Sequence, residues 1–380
     1  MPTIRIILSC TASVLVAACG GKTQDSTEVV GAALNSTTFR QIPLPVAANG
    51  EVPAAIGDSS AADAWVVGTF TTNPGTTFFT LTEHWNGSTS TIVPSPNLSP
   101  SAVNQLLAVA DISPTNAWAA GQAVEQNSGT HPLLIHWDGT SWSNFPSAPD
   151  PNGSQQYFTA MTALSTNDVW MTGQHFVGGV GEVALIQHFD GRAWSLVPTP
   201  NIPNALPALA PVSANDIWAA GGSFILHWDG SAWNQVKGAT TPGAPTITSL
   251  AAVASNDVWA VGVSHQAGRH GKSSQLIEHW DGTSWSLVAT PPASQGTAGE
   301  LTSVAAVSTN DVWAVGFLTL PDGSAGIEHW DGTSWSLIAV PTTQPPTIGQ
   351  INQLSATPGG TVFGLGGSTT GPEFILSTDG

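Results

Sequence analysis

Hydrophobic positions along this chain alternate with small ones in runs too short for helices, and the same run returns seven times. Its signature is a bulky residue followed by a small one: Ile56-Gly57, Val109-Ala110, Met161-Thr162, Leu209-Ala210, Leu250-Ala251, Val304-Ala305 and Leu354-Ser355. This is the period of a strand with one bulky and one cramped face. Nine residues after each bulky position stands an aromatic: Trp65, Trp118, Trp170, Trp218, Trp259, Trp313 and Phe363. Three residues further on stands a glycine: Gly68, Gly121, Gly173, Gly221, Gly262, Gly316 and Gly366. No amphipathic helical stretch of useful length interrupts the pattern.

Spacings between successive aromatic markers are 53, 52, 48, 41, 54 and 50 residues. A second marker, Asn86-Gly87 in the first unit and Asp-Gly in the rest (Asp138, Asp190, Asp229, Asp281, Asp331 and Asp379), keeps the same period. Residues 277–287 and 327–337 are identical, and all sixteen tryptophans fall on repeated positions. Each unit holds four strand-like pieces, a to d; in the second they are 106–113, 116–121, 132–139 and 140–145. Asp-Gly between c and d suggests a two-residue type I′ hairpin. That turn would set Trp137 against Thr140, His136 against Ser141 and Ile135 against Trp142. Small side chains on strand a suit strands crowded around a common axis.

Seven four-stranded units of about fifty residues predict an all-β fold, a seven-bladed β-propeller of four-stranded antiparallel blades. The last unit stops at Asp379-Gly380, before its aromatic strand d. Residues 36–45 supply the missing piece in kind, with Phe39 standing where the tryptophan belongs and Gln41-Ile42-Pro43 after it. We therefore expect the N-terminal strand, about 36–45, to complete the last blade and close the ring, leaving no free sheet edge. The competing explanation, a truncated chain, leaves 36–45 without a purpose.

Composition agrees. Hydrophobic residues make up 41% of the chain and charged ones 8%, which is not the balance of a disordered protein. Seven basic residues against twenty-five acidic ones give a formal charge of −18, which argues against nucleic-acid partners and against electrostatic docking on anionic lipid.

Residues 1–18 read as an export signal: one arginine, then an apolar run too short to span a bilayer. Val16-Ala17-Ala18-Cys19 is similar to a bacterial lipobox, which implies cleavage before Cys19 and lipidation of its thiol. The alternative is an ordinary signal peptide in which Cys19 is incidental. Cys10 lies inside the signal, so the mature chain holds one cysteine and no internal disulfide. Residues 19–35 form the lipidated cysteine and a flexible tether, and 36–380 the propeller.

The blades resemble kelch-type repeats over essentially all of 36–380. The shared features are WAAGG at 218–222, a turn after an aromatic strand, and a tryptophan with a proline-containing exit such as WSLVPTP at 194–200. The resemblance implies four-stranded blades with strand a innermost. The doubled glycine is kept at Gly221-Gly222 and Gly366-Gly367 alone, and His-Trp replaces the usual tyrosine.

A residue repeated in every blade is scaffold, and a site breaks the repeat. Six histidines (His84, His136, His188, His227, His279 and His329) occupy one repeated position on strand c, one per blade, so they do not converge on a metal. Asp63, Asp168, Asp216, Asp257 and Asp311 before the markers belong to turns, where they are expected to bond local backbone. Both turn types fall on one side of the ring. The other side carries the b–c and d–a loops, which vary in length and composition, with the fourth blade nearly bare. There, 263–274 stands out: His265, Arg269, His270 and Lys272 form a candidate site for an acidic or hydrogen-bonding ligand.

The reading is a non-catalytic, monomeric, membrane-anchored extracytoplasmic propeller that binds a protein or glycan at the cell envelope through its variable face. It needs no cofactor or metal and has no catalytic residues. Two alternatives are a glycan-active hydrolase or lyase and a structural subunit of an envelope assembly. Glycoside hydrolysis needs paired carboxylates; those breaking the repeat are Glu125, Asp150, Glu182, Glu300 and Asp322. A deep axial pocket with two unrepeated carboxylates would favour the enzyme, and a shallow face of scattered polar loops would favour binding.

Overall fold

In the computed structural model, residues 39–45, 50–72, 77–126, 128–151, 155–265, 273–291, 297–321, 325–340, 348–368 and 374–378 are described. They form seven four-stranded antiparallel blades. Blade 2 is typical: strand a is Val103–Ser113, b Asn116–Glu125, c Gly129–Trp137 and d Trp142–Asn144, paired in that order. Blades 1 and 2 share one eight-stranded sheet because a single parallel pairing, Phe78 with Val103, joins them.

The last blade is assembled from both ends of the described chain. Strands Ile348–Ala356, Val362–Ser368 and Phe374–Thr378 are followed in the sheet by Phe39–Pro43. Phe39 lies opposite Thr378 and Ile42 opposite Ile375. In blade 2, Trp142 lies opposite Trp137, the residue just before Asp138. Phe39 therefore takes the strand-d tryptophan's place, as its sequence context predicts.

Each seam between neighbouring blades holds its own buried apolar cluster, seven in all. The recurring contact is edge-to-face. The strand-b tryptophan of one blade meets the strand-d aromatic of the next, as in Trp65 with Trp142 at 4.9 Å and 81° and Trp259 with Trp335 at 5.5 Å and 82°. Such pairs add to the area the rings bury. Blade 1 has Ser90 at the strand-d position, so the seam from blade 7 is filled by Phe363, Trp85, Ile56 and Ile42 instead.

The repeated glycine after the aromatic marker is explained by a bulge. Strand a of blade 2 shifts register between Leu106 and Ala108, opposite Gly121. A Cβ on Gly121 would lie 2.0 Å from the Gln105 carbonyl oxygen. Gly173, Gly262 and Gly316 meet the matching carbonyls at 1.9, 2.0 and 2.1 Å. The requirement is close backbone approach at a bulge.

The c–d turn corrects the sequence reading. Trp137 pairs with Trp142, His136 with Ser143 and Ile135 with Asn144, so the loop holds four residues, not two. Asp138 N–H donates to the Ser141 carbonyl, and Asp138 Oδ1 accepts from the Thr140 N–H, the Thr140 hydroxyl and the Ser141 N–H. Of the turn residues only Gly139 has a positive φ, whereas a type I′ turn needs two. The carboxylate's bonds to the residues two and three places on decide the turn.

Candidate functional site

One end of the ring is built from repeated parts. In blades 1 to 6 the c–d turn packs on the a–b turn of the same blade, as in Gly191 against Asn167, Gly230 against Asn215 and Gly332 against Asn310. The turn carboxylates of Asp138, Asp229, Asp281 and Asp331 are lowered to about 2, chiefly by the Thr or Ser hydroxyl two residues on and then by backbone N–H groups. This end is short-looped, regular and acidic.

Between the turns lies a repeated ring–ring–carboxylate unit. The strand-c histidine stacks on the strand-b tryptophan, with centroids 4.5 Å apart for His84 on Trp65 and 4.1 Å for His329 on Trp313. Its Nε2 faces a carboxylate oxygen: His84 and Asp63 at 2.6 Å, His188 and Asp168 at 2.8 Å, His227 and Asp216 at 2.8 Å, His279 and Asp257 at 2.9 Å, His329 and Asp311 at 2.9 Å. In blades 3, 5 and 6 the same aspartate also accepts from the tryptophan Nε1. These aspartates thus hold rings across the blade, where the sequence suggested local backbone bonds. In blade 2 the partner is Asn116, and burial holds His136 below the usual imidazole range. One such unit in each of blades 1 to 6, with Asn116 replacing the carboxylate in blade 2, ties strand b to strand c.

The inner strands enclose an axial cavity of about 600 Å³, lined by residues of all seven blades. Two unrepeated carboxylates, Asp58 and Asp111, stand on its wall. At the equivalent place the other blades have Ala163, Pro211, Ala252, Ala306 and Ala356. Burial raises Asp58 to about 7, with the Ser355 hydroxyl of blade 7 working against the shift and the Asp63 charge adding to it. Burial raises Asp111 to about 9, helped by the charges of Asp63 and Asp58 and opposed by Ser59 of blade 1. None of the four carboxylate oxygens is open to water, and none has a partner at full hydrogen-bond geometry. Both groups therefore face the seams between blades 7, 1 and 2. Elsewhere on the inner wall the seams are closed by side chains that accept from the next blade: Ser249 from Val304 N–H, Ser303 from Leu354 N–H and Gln353 from Ile56 N–H.

The other end of the ring carries the variable loops. His265 ends strand b of blade 5, Asp257–His265, exposed, with Nδ1 3.0 Å from the Ser273 hydroxyl. Arg269, His270 and Lys272 lie outside the described residues, as do Cys19 and Asp322. The remaining repeat-breaking carboxylates are scattered. Glu125 accepts from the Ser128 hydroxyl at an exposed hairpin tip. Glu182 is exposed at the start of strand c in blade 3, and Glu300 is half-buried in strand a of blade 6. Asp150 lies 2.5 Å from His175 Nδ1 in a buried pair.

Large apolar side chains left exposed are distributed unequally. Val52, Leu98, Phe176, Val180 and Phe317 all belong to the b–c/d–a end, and Ile92 and Leu287 to the outermost strands. Among the described residues, none belongs to the end carrying the Asp-Gly turns.

No family model matches the sequence, and no curated protein matches it. Solved β-propellers do match the structure. YCF48 from Cyanidioschyzon merolae is 15% identical, with 90% of this chain and 98% of that one covered and a TM-score of 0.54. The WD40 β-propeller domain of Doa1 is 12% identical with 90% and 98% covered and a TM-score of 0.56. The WD40 repeats of RRP9 are 12% identical with 90% and 96% covered and a TM-score of 0.57. At these identities the likeness is one of fold.

Proposed function

We propose that the chain is a non-catalytic binding propeller that docks a protein partner on its b–c/d–a face and is held at the outer side of a bacterial membrane by a lipid on Cys19. The observation that carries the reading is the asymmetry of the two ends. One end repeats the same acidic turn in blades 2 to 6, while the other gathers the exposed apolar residues Phe176, Val180 and Phe317 on strand ends and a hairpin tip that differ from blade to blade. Apolar groups exposed on irregular loops of a rigid scaffold are the ordinary makings of a protein interface. A chain of the Mitotic Checkpoint Complex has the same fold, 12% identical with a TM-score of 0.56. A glycan partner on the same face is the companion reading, with the 263–274 cations as its contacts. The kelch-type resemblance of the blades fits either partner.

The axial acids are the observation that favours a glycan-active enzyme. Their chemistry argues the other way. Glycoside hydrolysis needs one carboxyl to give a proton and one carboxylate, both open to the sugar. Asp58 and Asp111 are both shifted toward the neutral acid, and their oxygens are shielded from solvent.

The test is site-specific photo-crosslinking in cells that export the full chain. A photoreactive residue at Val180 or Phe317 is expected to give discrete adducts, and one at Thr283 or Thr333 on the opposite end none. Equal labelling from both ends, or none from Val180 and Phe317, overturns the reading.

A further inference from the structure

Blade 3 carries a second, unrepeated polar pair. His175 occupies the strand-b position five residues after the aromatic marker, where the other blades have Phe70, Ala123, Ser223, Ser264, Leu318 and Ser368. It faces blade 2 and meets Asp150, from the connection between blades 2 and 3, at 2.5 Å through Nδ1. The Asp150 side chain is 1% exposed and that of His175 11%. A buried carboxylate on Nδ1 fixes the ring and leaves Nε2 as the working nitrogen. No described residue hydrogen-bonds that Nε2.

The pair lines a cavity of about 270 Å³ beside the outermost strand of blade 3. Its other walls are mostly aliphatic, with Leu185, Leu196, Val197 and Pro198 among them and Thr199 the one further polar residue. A small, mostly apolar hollow with one oriented polar group is the usual form of a small-ligand site. With Nδ1–H donated to Asp150, Nε2 accepts a proton-bearing group from the ligand.

The walls narrow the ligand further. An anion would meet the Asp150 carboxylate in a chain of formal charge −18. No aromatic lines the hollow to receive the face of a sugar. What fits is a flat apolar ring bearing one good donor. We propose that the His175–Asp150 pair is a recognition site for a phenol, with the ring between the aliphatic walls and the hydroxyl donating to His175 Nε2. The pair lies at the same b–c/d–a end of the ring, one residue from Phe176, but its ligand and its test do not depend on the docking of a protein there. A phenol can arrive as a free molecule or as a tyrosine side chain.

The experiment is a titration of the intact propeller with p-cresol, followed in long-range imidazole ¹⁵N spectra. The His175 signals are identified by their loss in His175→Gln. A saturable shift of His175 Nε2 is expected, with p-xylene, which lacks the hydroxyl, binding about tenfold more weakly. Asp150→Asn should weaken p-cresol while leaving the tryptophan fluorescence of the folded chain unchanged. N-acetyltyrosinamide is the second arm: binding of both ligands points to a tyrosine side chain, and binding of p-cresol alone to a free phenol. An unmoved His175 signal in the wild-type chain, or equal binding of p-cresol and p-xylene, overturns the proposal.

Discussion

The Phe39 ring meets the Trp313 indole edge-on, with centroids 5.4 Å apart and planes at 89°. It is the same contact that Trp335 makes with Trp259 and Trp285 with Trp218 inside the continuous part of the chain. The N-terminal strand thus carries a full share of a blade's packing. Phe39→Ala removes a buried ring from the cluster between blades 6 and 7. It should destabilise the propeller by about 3 kcal/mol, read as a lower urea midpoint, and speed amide exchange in Phe374–Thr378. Phe39→Trp should keep stability near wild type. A wild-type midpoint for Phe39→Ala would mean that the strand is not needed to complete the blade.

Buried acids and turn acids pull stability in opposite directions with pH. Asp58, Asp111 and Glu328 are raised by burial to about 7, about 9 and about 7. Above the ordinary carboxyl range the unfolded chain releases these protons while the folded chain keeps them, so stability falls as pH rises toward the folded values. Asp138, Asp229, Asp281 and Asp331 are lowered to about 2. Their contribution is complete above the unfolded value and is lost as pH drops toward 2. Stability should therefore peak at mildly acidic pH, near 4 to 5, in a series of urea melts. Asp58→Asn combined with Asp111→Asn should raise stability at pH 8 by about 2 kcal/mol and leave it unchanged at pH 4. Parallel profiles for the two proteins would show that these carboxyls ionise freely in the folded state.

The repeat was legible because its markers answer to the strictest packing. Trp118 and its counterparts are buried between blades, and Gly121 and its counterparts lie against a bulge carbonyl, so few alternatives fit. The place of Phe39 followed from the same regularity. The hairpin register was misread because Asp-Gly describes two turns, and the one chosen depends on bonds from the Asp138 carboxylate that composition does not display. Asp58 and Asp111 were overlooked because they interrupt the inner strand, a position read only as bulky or small. The five Ala or Pro residues at that place were the available signal. Asp150 stood out as a carboxylate outside the repeat, but its partner His175 is 25 residues away and only the fold brings the two together.

The glycine pattern separates two kinds of glycine that look alike in sequence. Gly262 has no room for a methyl group, because the Thr246 carbonyl oxygen would lie 2.0 Å from it. Gly178, at the blade 3 hairpin tip, has open space around it. Gly262→Ala should force the bulge apart and cost about 2 kcal/mol or more, whereas Gly178→Ala should be close to neutral. Thermal melts of the two variants decide the point. Similar melting temperatures would show that strand a can move outward without loss.

Cys19 offers the most direct check on where the propeller works. No described helix is long and apolar enough to cross a membrane. Each acyl methylene that enters the bilayer contributes about 0.8 kcal/mol, so chains attached at Cys19 would hold the protein firmly. In cells fed a labelled fatty acid, the wild-type chain should carry the label and sediment with membranes. Cys19→Ser should lose the label and move to the soluble exported fraction, with its tryptophan fluorescence unchanged because all sixteen tryptophans lie at position 65 or beyond. Labelled Cys19→Ser, or wild-type protein free of both label and membrane, would remove the anchor from the proposal and leave the docking face to be tested in solution.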